Sequence, residues 1–193
     1  MAEMTALRDG GTLYYDAAFL APAEADALFE TLCRGVAWGQ EIGRGRPFPR
    51  LTAWIADAGL VYRYSGVTHV GSGWTPMLSD VKLRVEAAAG AAFNSVLLNC
   101  YRSGRDSIGM HADDEPELGV NPVVASVSLG SARTFVLRHK RCREKLTMAL
   151  AHGSLLVMAG TCQHHWLHGV PKTEAPVGER INLTFRKIGE PPA

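Results

Sequence analysis

The sequence predicts a mainly β protein of the α+β class, with two helices packed on an antiparallel sandwich or barrel. Three observations predict it. Helical periodicity is confined to two stretches, both before residue 91; six short extended stretches crowd the chain after residue 94; and nowhere does strand alternate with helix as a parallel sheet requires.

Residues 13–20 form a short apolar lead-in. Pro22 suits a first helical turn, and Ala25, Leu28, Phe29, Leu32 and Cys33 recur at helical spacing until Gly35. Residues 39–51 interleave Gly39, Gly43, Gly45, Pro47 and Pro49 with Arg44, Arg46 and Arg50, the composition of a basic surface loop. Val61–Tyr64 reads as a strand stopped by Ser65-Gly66, with Tyr62 and Tyr64 on one face. Pro76 opens a second helix whose Met77, Val81, Val85 and Ala88 share a side, and Gly90 ends it. The remaining strands are predicted at Val96–Tyr101, Val123–Leu129, Arg133–His139, Leu146–Ala151, Ser154–Met158 and Arg180–Lys187.

A length of 193 residues suits one domain, 1–193, with a core that needs no covalent staples. Cys33, Cys100, Cys142 and Cys162 show no Cys-x-x-Cys pair, which argues against a structural zinc site or a disulfide framework. The N-terminus has acids where a signal peptide needs bases, and no apolar run reaches the ~18 residues of a membrane span. A cytoplasmic protein is expected, nuclear in a eukaryote, and acting as a monomer.

The chemistry centres on residues 99–113, Asn-Cys-Tyr-Arg-Ser-Gly-Arg-Asp-Ser-Ile-Gly-Met-His-Ala-Asp. His111 and Asp113, two apart, point the same way on an extended backbone and supply two-thirds of a 2-His-1-carboxylate set suited to Fe(II). The third ligand must come from elsewhere, and residue types alone leave His164, His165 and His168 open, while His69, His139 and His152 read as surface or cap positions. In the last strand Arg180, Asn182, Thr184 and Arg186 share one face and Ile181, Leu183 and Phe185 the other. The two arginines lie about 20 Å apart along the strand, too far to hold one carboxylate but able to lean toward the two ends of a dicarboxylate. Asn99 and Tyr101 offer an amide and a phenol from another strand. A half-buried sheet edge would show the same alternation.

Taken together, Asn99-x-Tyr101, His111-x-Asp113-Asp-Glu115, Ser126-Val-Ser-Leu-Gly130, His152-Gly153, His165-Trp-Leu-His168 and Arg180-x-Asn182-Leu-Thr-Phe-Arg186 resemble the AlkB family. The resemblance runs from about residue 50 to 188 and is strongest to the branch that acts on duplex DNA, through Arg138-His-Lys140 and Ala151-His-Gly-Ser-Leu155. It implies a double-stranded β-helix (jelly-roll) core over 94–188, with iron on His111, Asp113 and His168 as the catalytic centre. It also implies 2-oxoglutarate as cosubstrate, held by Arg180 and Arg186 with hydrogen bonds from Asn99, Tyr101, Asn182 and Thr184. The implied reaction hydroxylates the N-alkyl carbon of a damaged base such as 1-methyladenine or 3-methylcytosine in DNA, releasing succinate, CO2 and formaldehyde.

The same resemblance assigns residues 39–75 to nucleotide recognition. Such chemistry needs the base out of its stack and held between flat surfaces. Tyr62 and Tyr64 match the stacking strand, with Arg63 between them, while Asp114 and Glu115 match base-contacting positions. A hairpin ending at Pro49-Arg50 places the wedge that fills the vacated stack on Ile42, followed by Gly43 and Arg44. Isoleucine has no flat face, and the loop after Lys140 is about ten residues shorter than in duplex-acting members. Single strands are therefore expected to be repaired at least as fast as duplex. Arg133, Arg138, Lys140, Arg141, Arg143 and Lys145 form an expected phosphate-facing stripe. The alternatives are an RNA base demethylase of the same family, a zinc hydrolase using the same triad, and a jelly-roll binding module without catalysis.

Overall fold

In the computed structural model of the chain, the described residues are 2–43, 45–64 and 67–189. The strands are β1 (Glu3–Ala6), β2 (Gly11–Asp16), β3 (Ile42–Gly43), β4 (Arg46–Pro47), β5 (Leu51–Ala56), β6 (Val61–Tyr64), β7 (Val67–Val70), β8 (Ser95–Tyr101), β9 (Ile108–His111), β10 (Val124–Gly130), β11 (Arg133–His139), β12 (Lys145–Leu150), β13 (Ser154–Gly160), β14 (Trp166–Val170) and β15 (Arg180–Arg186). The helices are α1 (Pro22–Gly35), α2 (Pro76–Ala89) and a single turn, α3 (Cys162–His165).

A seven-stranded sheet, in the order β1-β2-β13-β10-β15-β8-β5, faces a four-stranded sheet, β12-β11-β14-β9, and every paired strand is antiparallel. This is the jelly-roll sandwich. Two hairpins, β3–β4 and β6–β7, stand outside it. Both long helices cover the outer face of the larger sheet. Leu28 and Leu32 of α1 and Leu78, Val81 and Val85 of α2 pack with Val96, Leu98, Val127, Leu129, Ile181, Leu183 and Phe185. A second apolar cluster, including Phe135, Leu137, Leu156, Met158 and Trp166, fills part of the space between the sheets.

The helices start and stop for local reasons. Both begin with proline in the first turn, whose missing N–H is an orphan donor there anyway. The Thr75 hydroxyl accepts from the Leu78 N–H at the start of α2, and Gly90 ends it in the left-handed region at φ 62°. No helix among the described residues is long and apolar enough to cross a membrane.

β15 sits in the middle of the larger sheet, so its alternation is not that of a half-buried edge. Ile181, Leu183 and Phe185 face the helices; Arg180, Asn182 and Thr184 face the inter-sheet space and are buried as well. Strands β1, β2, β5, β7, β9 and β14 lie outside the predicted set. Residues 11–16 are a strand rather than a lead-in, and the basic loop holds a two-residue hairpin and leads directly into β5. Local pattern hides these elements. β9 and β14 each contain glycine, and β5, at a sheet edge, buries only Thr52 and Ala56, so it shows no regular alternation.

Candidate active site

His111 ends β9 and His168 lies within β14, directly opposite each other in the antiparallel register. Their ring centroids are 4.4 Å apart. Asp113, two residues past the end of β9, returns its carboxylate to the pair: Oδ1 is 3.7 Å from His111 Nε2 and Oδ2 is 3.9 Å from His168 Nε2. The three ligand atoms lie within 4.8 Å of one another. His111 Nδ1 sits 2.8 Å from the Gly109 carbonyl, which can only accept, so Nδ1 carries the proton and Nε2 keeps its lone pair.

Burial alone would raise the Asp113 pKa, but the Arg186 guanidinium and the two imidazoles outweigh it and lower it to about 2. Burial, then His111, lowers His168 to about 3. One ionised carboxylate and a neutral buried imidazole are the protonation states a divalent cation needs. The chelating geometry is held from outside. Arg186 Nη2 donates to Asp113 Oδ2 at 2.9 Å, and the Asp113 N–H donates to Gln163 Oε1 at 3.0 Å.

Two cavities meet at this cluster. The inner one lies between the sheets, and its polar wall is Asn99, Tyr101, Arg180, Asn182, Thr184 and Arg186. Arg180 is the telling member. It is 1% exposed, its guanidinium lies beside Tyr101, 5.1 Å from the ring, and Nη2 donates to Ser128 Oγ, while Nε and Nη1 meet no acceptor at hydrogen-bond geometry among the described residues. A buried guanidinium with donors to spare has the chemistry to receive a carboxylate. Asn182 and Thr184 are already engaged: Asn182 Nδ2 donates to Ser126 Oγ and the Val127 carbonyl, and the Thr184 hydroxyl donates to Asn182 Oδ1. Their geometry makes them props of the wall rather than free donors, which narrows the hydrogen-bonding set expected from sequence.

The outer cavity is lined by Glu41, Trp54, Tyr62, His69, Asp113, Glu115 and Arg186, among others. Trp54 and Tyr62 stack with centroids 6.3 Å apart and 28° between planes, and His69 lies 5.5 Å from Trp54. Burial raises the Tyr62 and Glu115 pKa values, so both favour their protonated forms more than usual. Trp54, Glu41 and His69 are not singled out by residue pattern: Trp54 lies on β5, a strand without a sequence signal, and His69 carries the pattern of a surface or cap position. A tryptophan eight residues before Tyr62 was the available signal.

Other predicted positions fall differently. Ile42 is 65% exposed on its hairpin, and Gly43 packs under the Phe48 ring, where a Cβ would collide. Arg50 is buried, with Nε donating to Asn99 Oδ1, so it does not face outward. Asp114 is exposed and accepts from Lys140 Nζ at 3.0 Å. Arg44 lies outside the described residues, as do the side chains of Arg63 and Tyr64. The basic stripe also needs correcting. Arg133 is buried and donates to the carbonyls of Ser103, Asp106 and Pro171, and Lys140 is held by Asp114 and the Gln163 carbonyl. Arg138, Arg141, Arg143 and Lys145 remain exposed.

A second histidine–carboxylate group, Asp9, His139 and His165, has its ligand atoms within 4.8 Å of one another. The protons argue against a cation there. His139 Nδ1 accepts from the N–H groups of Arg141 and Cys142, which fixes the proton on Nε2, where it is donated to Asp9 Oδ2 at 2.8 Å. His164 approaches the Val120 carbonyl and Asn121, and His165 stacks on His139; neither reaches the Asp113 cluster.

Residues 12–186 match the model of the 2OG-Fe(II) oxygenase superfamily. The chain is 43% identical over 179 residues to alpha-ketoglutarate-dependent dioxygenase alkB homolog 3 of Rattus norvegicus, covering 86% of this chain and 60% of that protein. It is 41% identical over 181 residues to DNA oxidative demethylase ALKBH2 of Homo sapiens, covering 86% and 69%. The chain spans about three-fifths of the length of the alkB homolog 3 relatives. The solved structure of OsALKBH1 superposes with a TM-score of 0.69 at 17% identity, covering 96% of this chain and 100% of that one, a likeness of fold.

Proposed function

The chain belongs to the 2OG-Fe(II) oxygenase superfamily, among the AlkB homologues, and from that premise we propose that it oxidatively demethylates N-alkylated bases in DNA. The observation that carries the reading is the junction of three parts: a 2-His-1-carboxylate cluster that opens on one side to a buried, half-unpartnered arginine and on the other to an aromatic pocket.

The residues fit the two groups that the superfamily's name implies. His111 Nε2, Asp113 and His168 would hold Fe(II), a donor set of two neutral imidazoles and one carboxylate that leaves coordination positions open. Arg180 would take the distal carboxylate of 2-oxoglutarate, since its free donors lie buried in the inner cavity. Arg186 and the Asn99 amide would meet the end nearer the metal, with Tyr101 beside them. When bound, iron with O2 and 2-oxoglutarate supplies oxidation of the N-methyl carbon; the cosubstrate leaves as succinate and CO2, and the hydroxymethylated base loses formaldehyde.

The chain's own share is binding, orientation and exclusion of water. Trp54 and Tyr62 would hold the flipped base at the cluster's edge, a contact worth about 1–3 kcal/mol per stacked base. Arg186 keeps Asp113 ionised and aimed while closing the inner cavity from the outer. Residues 1–193 act as one domain, with 39–75 reading the nucleotide and 94–188 carrying the chemistry. Arg138, Arg141, Arg143 and Lys145 contact phosphates, and Ile42 is the wedge at the base stack. Both single-stranded and duplex DNA are substrates, with single strands repaired at least as fast.

Succinate and formaldehyde release from oligonucleotides carrying one 1-methyladenine or 3-methylcytosine, with iron and 2-oxoglutarate, tests the proposal. Stoichiometric formaldehyde supports it. Base release or strand hydrolysis without succinate would replace it with a hydrolase, and tight binding with no product would leave a binding module.

A further inference from the structure

We propose that Arg50 is a positioning residue that sets the Asn99 amide for the cosubstrate and makes cosubstrate affinity depend on the hairpin facing the nucleic acid. The inference rests on the reading of the inner cavity as the 2-oxoglutarate site.

Arg50 belongs by sequence to the basic arm, yet it is 4% exposed. Its Nε donates to Asn99 Oδ1 at 2.6 Å. A guanidinium has donors only, whereas an amide has an acceptor at one end and two donors at the other, and turning it over costs little by itself. Arg50 therefore decides which end points where. With the oxygen committed to Arg50, the Asn99 NH2 is the end left for the inner cavity, whose wall Asn99 forms with Arg180 and Tyr101. An anionic ligand needs a donor there. Turned over, the amide would present lone pairs to a carboxylate and repel it.

The other face of Arg50 connects to the arm. Its guanidinium carbon lies 4.8 Å from the centroid of the Phe48 ring, and that ring packs on Gly43 so closely that a Cβ has no room. Gly43 is the neighbour of exposed Ile42 in β3, which pairs with β4. Backbone bonds anchor the base of the arm, Ser107 N–H to the Pro49 carbonyl and Phe48 N–H to the Glu41 carbonyl, both at 2.8 Å. A contiguous line of contacts thus runs from Ile42 and Gly43 through Phe48 and Arg50 to Asn99. A displacement of the hairpin by a bound strand moves Phe48, hence Arg50, hence the amide. By linkage, whatever DNA does to 2-oxoglutarate affinity, 2-oxoglutarate does to DNA affinity.

The test is calorimetric titration of 2-oxoglutarate into the full chain loaded with Mn(II), which measures binding without turnover, with and without a single-stranded oligonucleotide carrying 1-methyladenine. Wild type is the control for the functional reading: if it binds no 2-oxoglutarate, that reading falls and this inference with it. If it binds, Arg50→Met should weaken 2-oxoglutarate about tenfold, the scale of one charge-assisted hydrogen bond, with Mn(II) affinity and melting temperature near wild type. Arg50→Lys, which keeps a donor, should recover part of the loss. Because Arg50 acts through Asn99, Arg50→Met/Asn99→Ala should bind no more weakly than Asn99→Ala alone. Phe48→Ala should abolish the dependence of 2-oxoglutarate affinity on oligonucleotide that wild type shows. Unchanged affinity in Arg50→Met, additive losses in the double variant, or a wild type indifferent to oligonucleotide would each overturn the proposal.

Discussion

Arg186 touches both halves of the site, since its Nη2 donates to Asp113 while its side chain closes the wall between the two cavities. Arg186→Ala should therefore weaken 2-oxoglutarate binding by one to two decades, the loss of a charge-assisted pair of about 1.5–3 kcal/mol, with nucleic-acid affinity little changed; titration of each ligand separately checks it. The three histidines of residues 164–168 separate on geometry. His168→Ala should abolish Fe(II) binding, and His165→Ala, which lies against His139, should leave it intact; metal titration followed by absorbance or fluorescence decides between them. His111-x-Asp113 was legible as a half-site from spacing alone. The choice of His168 needed the family resemblance, because only the β9–β14 register puts that ring opposite His111.

On the proposed function, the arm of residues 39–50 and the turn after β11 would be the parts that grip the nucleic acid. Ile42, the proposed wedge, is exposed, but an aliphatic side chain cannot stack. In direct competition at matched salt, single strands with one 1-methyladenine should be repaired at least as fast as duplex, and Ile42→Phe should move the ratio toward duplex. A clear wild-type duplex preference that Ile42→Ala removes would reverse this reading. Lys140 gives a second contrast within one turn. All three residues are exposed, but Lys140 is held by Asp114 and the Gln163 carbonyl, the contrast with Arg141 and Arg143 being one of side-chain acceptors. Removing either arginine should lower the salt dependence of binding by about one counterion, and Lys140→Ala should leave the salt slope unchanged while raising KM for the lesion. Charge counting along the chain had put all of them in one stripe. Side-chain direction and the acceptors that fold against them make the difference.

The sandwich brings its ligands from strands far apart in sequence, so binding and folding are coupled across the whole molecule. The cluster joins β9, the segment after it and β14, while β15 crosses from the other sheet. Mn(II) and 2-oxoglutarate, each at about 100 times its Kd, should each add roughly 2.7 kcal/mol to stability. For a chain of this size that is a rise of about 5–10 °C in Tm per ligand, lost on adding a chelator. Arg180→Met should abolish the 2-oxoglutarate part of that rise and keep the metal part, which scanning calorimetry can separate.

What the sequence determined by itself was whatever repeats along the chain: the two amphipathic helices, most of the longer strands, the two-faced Arg180–Arg186 strand and the same-side His111 and Asp113. Those features are local, set by periods of 3.6 and 2 residues and by proline and glycine at helix ends. The tertiary structure decided what depends on contact between distant segments. It made β15 a central strand, so that even its polar face is buried and Arg180 keeps two donors, Nε and Nη1, without an acceptor among the described residues. It brought Trp54, Tyr62 and His69 together from β5 and the β6–β7 hairpin, and it turned Arg50 inward onto Asn99. An arginine in a Gly/Pro-rich stretch looks like a solvated charge until the acceptor that draws it in is known. That acceptor lies 49 residues further along the chain.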